Sequence, residues 1–91
     1  MYRLVWTSHF IRAAKKFVVR HPEQKKKVAE ILRDLEKDPF QPHLKYHQLG
    51  GKLKGMQAVS ITDDYRITLT ILITEKEIQL LDIGSHDQVY R

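Results

Sequence analysis

Val59-Ser60-Ile61-Thr62-Asp63-Asp64-Tyr65-Arg66-Ile67-Thr68-Leu69-Thr70-Ile71-Leu72-Ile73 is the stretch whose pattern decides the fold. Val59 and Ile61 fall on one face, and Tyr65, Ile67, Leu69, Ile71 and Ile73 on one face of a longer strand. The other side carries Arg66, Thr68 and Thr70. A two-residue period of this kind fits a sheet with one buried and one polar face. Thr62-Asp63-Asp64 supplies turn residues between the two runs, and Thr74-Glu75-Lys76 the next turn. Ile78 to Ile83 then completes a three-stranded antiparallel meander.

Upstream of residue 55 the period is helical. Tyr2 to Trp6 is rich enough in β-branched and aromatic residues for a first strand, and Thr7 or Ser8 can cap the helix that follows. Phe10, Ile11, Ala14, Phe17 and Val18 form a stripe that leaves Arg12, Lys15 and Lys16 outside, and the helix should end near Arg20 or His21. Pro22 suits the first position of a second helix, with Glu23 at the positive end of its dipole. Val28, Ile31, Leu32 and Leu35 are its buried stripe, and Asp38-Pro39 stops it before the loop Phe40-Gln41-Pro42-His43. The expectation is one α+β domain over residues 1–91, with a two-helix hairpin packed on a small antiparallel sheet in the order β-α-α-β-β-β.

Ninety-one residues support one core and no deep two-lobed cleft. With no Cys there is neither a disulfide nor a thiolate, and a reducing cytoplasm is the expected setting. His9 and Arg12 interrupt the apolar start, so neither a signal peptide nor a membrane span is expected. Sixteen Lys and Arg against eleven Asp and Glu, a net charge of +5, favour an anionic partner such as nucleic acid or an acidic protein. The five His, at positions 9, 21, 43, 47 and 86, include no helical i, i+4 pair, and no metal or other cofactor is expected. Gly50-Gly51 is followed by no Gly-Lys-Ser/Thr and reads as a turn into the meander.

The end of the chain, Gly84-Ser85-His86-Asp87-Gln88-Val89-Tyr90-Arg91, places an ionisable His, a Tyr and an Arg just beyond an apolar strand. Together with Leu53-Lys54-Gly55-Met56, Asp64-Tyr65-Arg66-Ile67 and the β-α-α-β-β-β order, it resembles the RelE/ParE superfamily of bacterial toxins over essentially the whole chain. Lys45-Tyr46-His47-Gln48-Leu49 and the Gly-Ser-His spacing resemble the YafQ branch most.

That resemblance implies the toxin of a type II toxin–antitoxin system. Its activity would be metal-independent cutting of messenger RNA in the ribosomal A site, with the RNA's own 2′-hydroxyl as nucleophile. It also implies an acidic antitoxin as partner, the ribosome and messenger RNA as targets, and operator DNA bound through the antitoxin. Such chemistry needs a base, a cation for the extra phosphate charge and an acid for the leaving 5′-oxygen. By resemblance His86 is the general acid, and Asp64 or His47 the base. Arg66 matches a phosphate clamp, and Tyr90 a terminal aromatic that stacks on a base or orients the phosphate. Lys45, Lys52, Lys54 and Tyr65 are the expected substrate contacts.

Plainer readings stand beside these: Asp64 as a turn residue bonded to nearby amides, His47 in a solvated basic loop, Tyr65 and Tyr90 at the rim of the core. Lys25-Lys26-Lys27 with Lys15 and Lys16 form a face suited to ribosomal RNA phosphates, or simply a solvated surface. The chain departs from the YafQ pattern at Ser60, where that branch carries a His, and at Asp82, where it carries an Arg. Two other readings therefore remain open, a ParE-like inhibitor of DNA gyrase and a degenerate toxin that mainly binds its antitoxin.

Overall fold

The computed structural model describes residues 1–85. Strand β1 (Arg3–Trp6) leads into helix α1 (Ser8–Arg20), and a single 3-10 turn (Pro22–Gln24) into helix α2 (Lys25–Lys37). A second 3-10 turn (Pro42–Leu44) precedes the two-residue strand β2 (His47–Gln48), and a third (Gly51–Leu53) precedes β3 (Gln57–Ser60). Strands β4 (Tyr65–Leu72) and β5 (Glu77–Ser85) complete one five-stranded sheet in the order β1-β5-β4-β3-β2. Among the described residues no helix is long and apolar enough to cross a membrane.

The expected α+β architecture is present, with a sheet that is mixed rather than wholly antiparallel. β2 to β5 are antiparallel neighbours, whereas β1 joins the outer edge of β5 in parallel, from Arg3 opposite Glu77 to Trp6 opposite Leu80. Alternation identifies a strand but not its direction. Here the direction follows from the route through both helices, which returns the chain to the far edge of the sheet before the meander begins.

Between β4 and β5 the ladder slips by one residue: Thr68 faces Asp82 while Leu69 faces Leu80, leaving Leu81 without an opposite number. This β-bulge lets Ile78, Leu80 and Ile83 all reach the core, although strict alternation would turn Ile83 to the other side. They pack with Val59, Ile67 and Leu69 against Phe10 and Phe17 of α1 and Val28, Ile31 and Leu35 of α2. At about 1.5–3 kcal/mol for each large side chain removed from water, these contacts drive the layers together. Ile11 and Val18 are more peripheral than their spacing predicts, and Ile73 is exposed because β4 ends at Leu72 and residues 73–76 turn. Leu44, just past the expected loop Phe40-Gln41-Pro42-His43, is fully buried.

Local chemistry sets the ends of the helices. Thr7 is the N-cap of α1: its Oγ1 accepts from the Phe10 amide at 3.1 Å, and its hydroxyl donates to the Leu80 carbonyl at 2.7 Å. One side chain thus starts α1 and fixes that start to the strand residue just before the bulge. Pro22 opens the 3-10 turn, so α2 proper begins three residues later than its proline suggests, at Lys25. Asp38 ends α2, and its carboxylate accepts from the Phe40 amide at 2.9 Å.

Thr7→Ala removes both bonds. A loss of about 1–2 kcal/mol is expected, a fall in Tm of roughly 5–10 °C for a domain of this size. Thr7→Ser should recover most of it. Thermal unfolding followed by circular dichroism reads both variants, and an unchanged Tm in Thr7→Ala would show that the cap carries no stability.

Candidate functional site

Register and alternation sort the candidate residues onto two faces of the sheet. The side opposite the helices carries His47, Ala58, Ser60, Arg66 and Thr68: His47 pairs with Ala58, Ala58 with Thr68, and Ser60 with Arg66. Opposite Arg66 in β5 stands Gly84, which brings no side chain to that position. Arg66 therefore lies between a small hydroxyl and a bare backbone. Thr68 is buried, and its Oγ1 finds no hydrogen-bond partner among the described residues.

His47 sits in β2 with Nδ1 2.9 Å from the Lys45 carbonyl. A carbonyl can only accept, so Nδ1 carries a proton and, in the neutral ring, Nε2 is the basic nitrogen. Lys45 itself adopts a left-handed backbone, φ 53°, at the end of the second 3-10 turn. Its Nζ reaches Asp63 Oδ1 at 3.8 Å, an exposed contact that brings the His47 loop up to the β3–β4 turn. Next to it, burial raises the pKa of Tyr46 above its ordinary value and keeps the hydroxyl protonated. The ring meets Phe40 edge-on at 5.0 Å.

Asp64 is exposed at the tip of that turn, where its amide donates to Thr62 Oγ1 at 3.2 Å. Lys52 is exposed on the 3-10 turn that precedes β3 and Lys54 just after it, followed by Gly55 with the left-handed φ of 94° that a side chain would strain. Ser85 pairs with Tyr65, so β5 ends beside the Asp64 turn. His86 and Tyr90 lie outside the described residues.

Tyr65 faces the helices instead. Its ring packs edge-on against Phe17 at 5.1 Å and its hydroxyl lies 3.2 Å from His21 Nδ1, with the His21 ring 4.6 Å away. It is a half-buried member of the core rim. Sequence reasoning did not single out His21, because no local pattern links two residues 44 positions apart. Asp82, which stands where the YafQ pattern carries an Arg, accepts from the Ile83 amide at 2.8 Å and lies 3.3 Å from His9 of α1. The bulge thus gives its carboxylate to α1. Among the described residues no three His, Asp or Glu converge as a metal site.

A sequence profile described as a bacterial toxin of a type II toxin–antitoxin system, YafQ, matches residues 2–91. No curated protein is matched by the sequence. Among solved structures, YafQ from E. coli shares 14% identity over 100% of both chains with a TM-score of 0.82. A metal-bound toxin from Helicobacter pylori shares 23% identity over 99% of this chain and 100% of its own, TM-score 0.79. The toxin–antitoxin complex RelBE2 from Mycobacterium tuberculosis shares 20% over 93% of this chain and 98% of its own, TM-score 0.73. At these identities the structures establish the common fold.

The two faces predict different responses to substitution. Tyr65→Ala should cost about 2–3 kcal/mol by opening a gap against Phe17 and releasing His21, and Tyr65→Phe under about 1 kcal/mol. Lys52→Ala and Lys54→Ala should stay within about 0.5 kcal/mol of the parent. Urea unfolding separates the sets, and a stable Tyr65→Ala would remove Tyr65 from the core.

Proposed function

We propose, because the chain belongs to the YafQ family of bacterial toxins of type II toxin–antitoxin systems, that it is a ribosome-dependent, metal-independent endoribonuclease acting on messenger RNA in the A site. The observation that carries this reading is the placement of His47 and Arg66 on one face of the sheet, with β5 ending next to the Asp64 turn. His86 follows directly on that strand.

In this reading a base, His47 Nε2 or the Asp64 carboxylate, takes the proton of the 2′-hydroxyl as its oxygen attacks the adjacent phosphorus. The bond from phosphorus to the 5′-oxygen breaks, and His86 protonates the departing oxygen. The products are a 2′,3′-cyclic phosphate and a 5′-hydroxyl. Arg66 meets two phosphate oxygens through parallel hydrogen bonds, while Lys45, Lys52 and Lys54 add positive charge around the message. Tyr90 stacks on a base or orients the phosphate. Tyr65 contributes by holding the start of β4 rather than by stacking on RNA. With Asp82 held at His9, the site loses a cation relative to the branch pattern without gaining an anion on the Arg66 face.

An antitoxin partner fits the same reading, since RelBE2 is a toxin–antitoxin complex on the same fold. An acidic segment that orders as it binds would cover the basic surface, and the complex would meet operator DNA through the antitoxin. Ser60, which cannot titrate, is the feature that favours the gyrase-inhibitor alternative.

Single-turnover cleavage on programmed ribosomes from pH 6 to 9 tests the assignment. His86→Ala and Arg66→Ala should each slow cutting by roughly 10²-fold or more while remaining folded. Only the His variant should lose the fall in rate toward alkaline pH, because a general acid works only while it holds its proton. A folded His86→Ala protein that cuts at the parental rate would end the general-acid role. Toxicity through DNA damage with intact messages would put gyrase in place of RNA.

A further inference from the structure

Between α1 and the end of β5 runs a groove of about 310 Å³, lined among others by His9, Arg12, Lys16, Arg20, His21 and Asp82. Arg12, Lys16 and Arg20 follow one another at four-residue intervals, which places them in one row along the helix at steps of about 6 Å. None of the three makes an ion pair among the described residues. Asp82, the one carboxylate in the lining among the described residues, is already bonded to the Ile83 amide and to His9.

Like charges four apart on a helix destabilise it, and α1 contains no Asp or Glu to offset them. Helix α2, of equal length, interleaves Glu30, Asp34 and Glu36 with its lysines. Solubility alone explains a mixed helix such as α2. It does not explain a row of cations set into a groove with no ion-pair partner among the described residues.

The groove also has a direction. Its His9 end lies at the bulge, and its His21 end at Tyr65, where β4 leaves the Asp64 turn and pairs with the last described residue of β5. We infer that this groove is a track for the sugar–phosphate backbone of single-stranded RNA, with Arg12, Lys16 and Arg20 each meeting one phosphate and leading the strand to the candidate site. The inference rests on the endonuclease reading for what lies at the end of the track. The track itself needs only the cations and the groove. Of the rings that line it, Phe17 is buried, His9 lies against Asp82 and His21 against Tyr65, so the contact reads charge spacing rather than bases. An acidic peptide would also be drawn to the charge, but it lacks the regular succession of anions that three evenly spaced cations suit.

A fluorescent ten-nucleotide RNA carrying 2′-O-methyl groups throughout, which the proposed chemistry cannot cut, provides the probe. Fluorescence anisotropy against salt compares the parent protein with Arg12→Ala/Lys16→Ala/Arg20→Ala and with the α2 control Lys27→Ala/Arg33→Ala/Lys37→Ala. All six positions are exposed, and circular dichroism verifies folding. The track predicts at least about tenfold weaker binding for the α1 variant, with a log–log salt slope shallower by about 2, the value for three lost phosphate contacts on a single strand. The control should lose less than about threefold. Equal losses in both variants, no loss in the α1 variant, or displacement of the RNA by an equimolar ten-residue polyglutamate would each overturn the proposal. Because the probe cannot be cut, a protein that binds it through α1 but leaves ribosomal messages intact contradicts the enzymatic reading alone. One that cuts messages while its α1 variant binds normally contradicts the track alone.

Discussion

The pairing of β4 with β5, and the single residue by which it slips, is the constraint on which the rest of the molecule depends. Leu81 drops out of the ladder, so Leu80 and Ile83 both enter the core and Asp82 is left at the edge facing α1. Thr7 ties the first turn of α1 to the Leu80 carbonyl, so helix and bulge hold each other in register. A ladder without the slip would carry Ile83 to the opposite face and move the end of β5 relative to the Asp64 turn.

That geometry divides the candidate functional surface into two parts. On the side of the sheet away from the helices, His47 holds a base-competent tautomer through a backbone carbonyl, and Arg66 stands between Ser60 and Gly84. On the helix side, Phe17, His21 and Tyr65 form a compact aromatic corner that steadies the start of β4. The corner lies at one end of the basic groove, beside the Asp64 turn from which β4 starts. A strand of RNA held by charge along α1 would arrive at that turn with its backbone already positioned, the kind of preorganisation that phosphate chemistry rewards.

Much of this was legible in the residues because it is local or periodic. The stripes Phe10–Phe17 and Val28–Ile31–Leu35, the Thr7 cap, the stop at Asp38-Pro39 and the β3–β4 turn follow from spacing and side-chain chemistry, and each is present. The parallel direction of β1, the two-residue β2, the bulge at Leu81 and the burial of Leu44 depend on contacts between distant segments, for which a linear pattern has no period. The candidate site divides in the same way. His47 and Arg66 are candidates by resemblance to a family motif, whereas the His21–Tyr65 contact and the turning of Asp82 toward His9 arise only when α1 is laid on the sheet. Tyr65 packs its ring on Phe17 and His21, the core-rim position that its plainer reading describes.

The central claim is that this small basic fold performs transesterification with the message's own 2′-hydroxyl, using side chains in place of metal or water. The chemical termini of the fragments test it most directly. Messages cut by the purified protein on programmed ribosomes should carry 2′,3′-cyclic phosphates or the 3′-phosphates derived from them, and 5′-hydroxyls that polynucleotide kinase labels without prior dephosphorylation. Fragments with 5′-phosphates and free 3′-hydroxyls would mean that water is the nucleophile and would contradict the account.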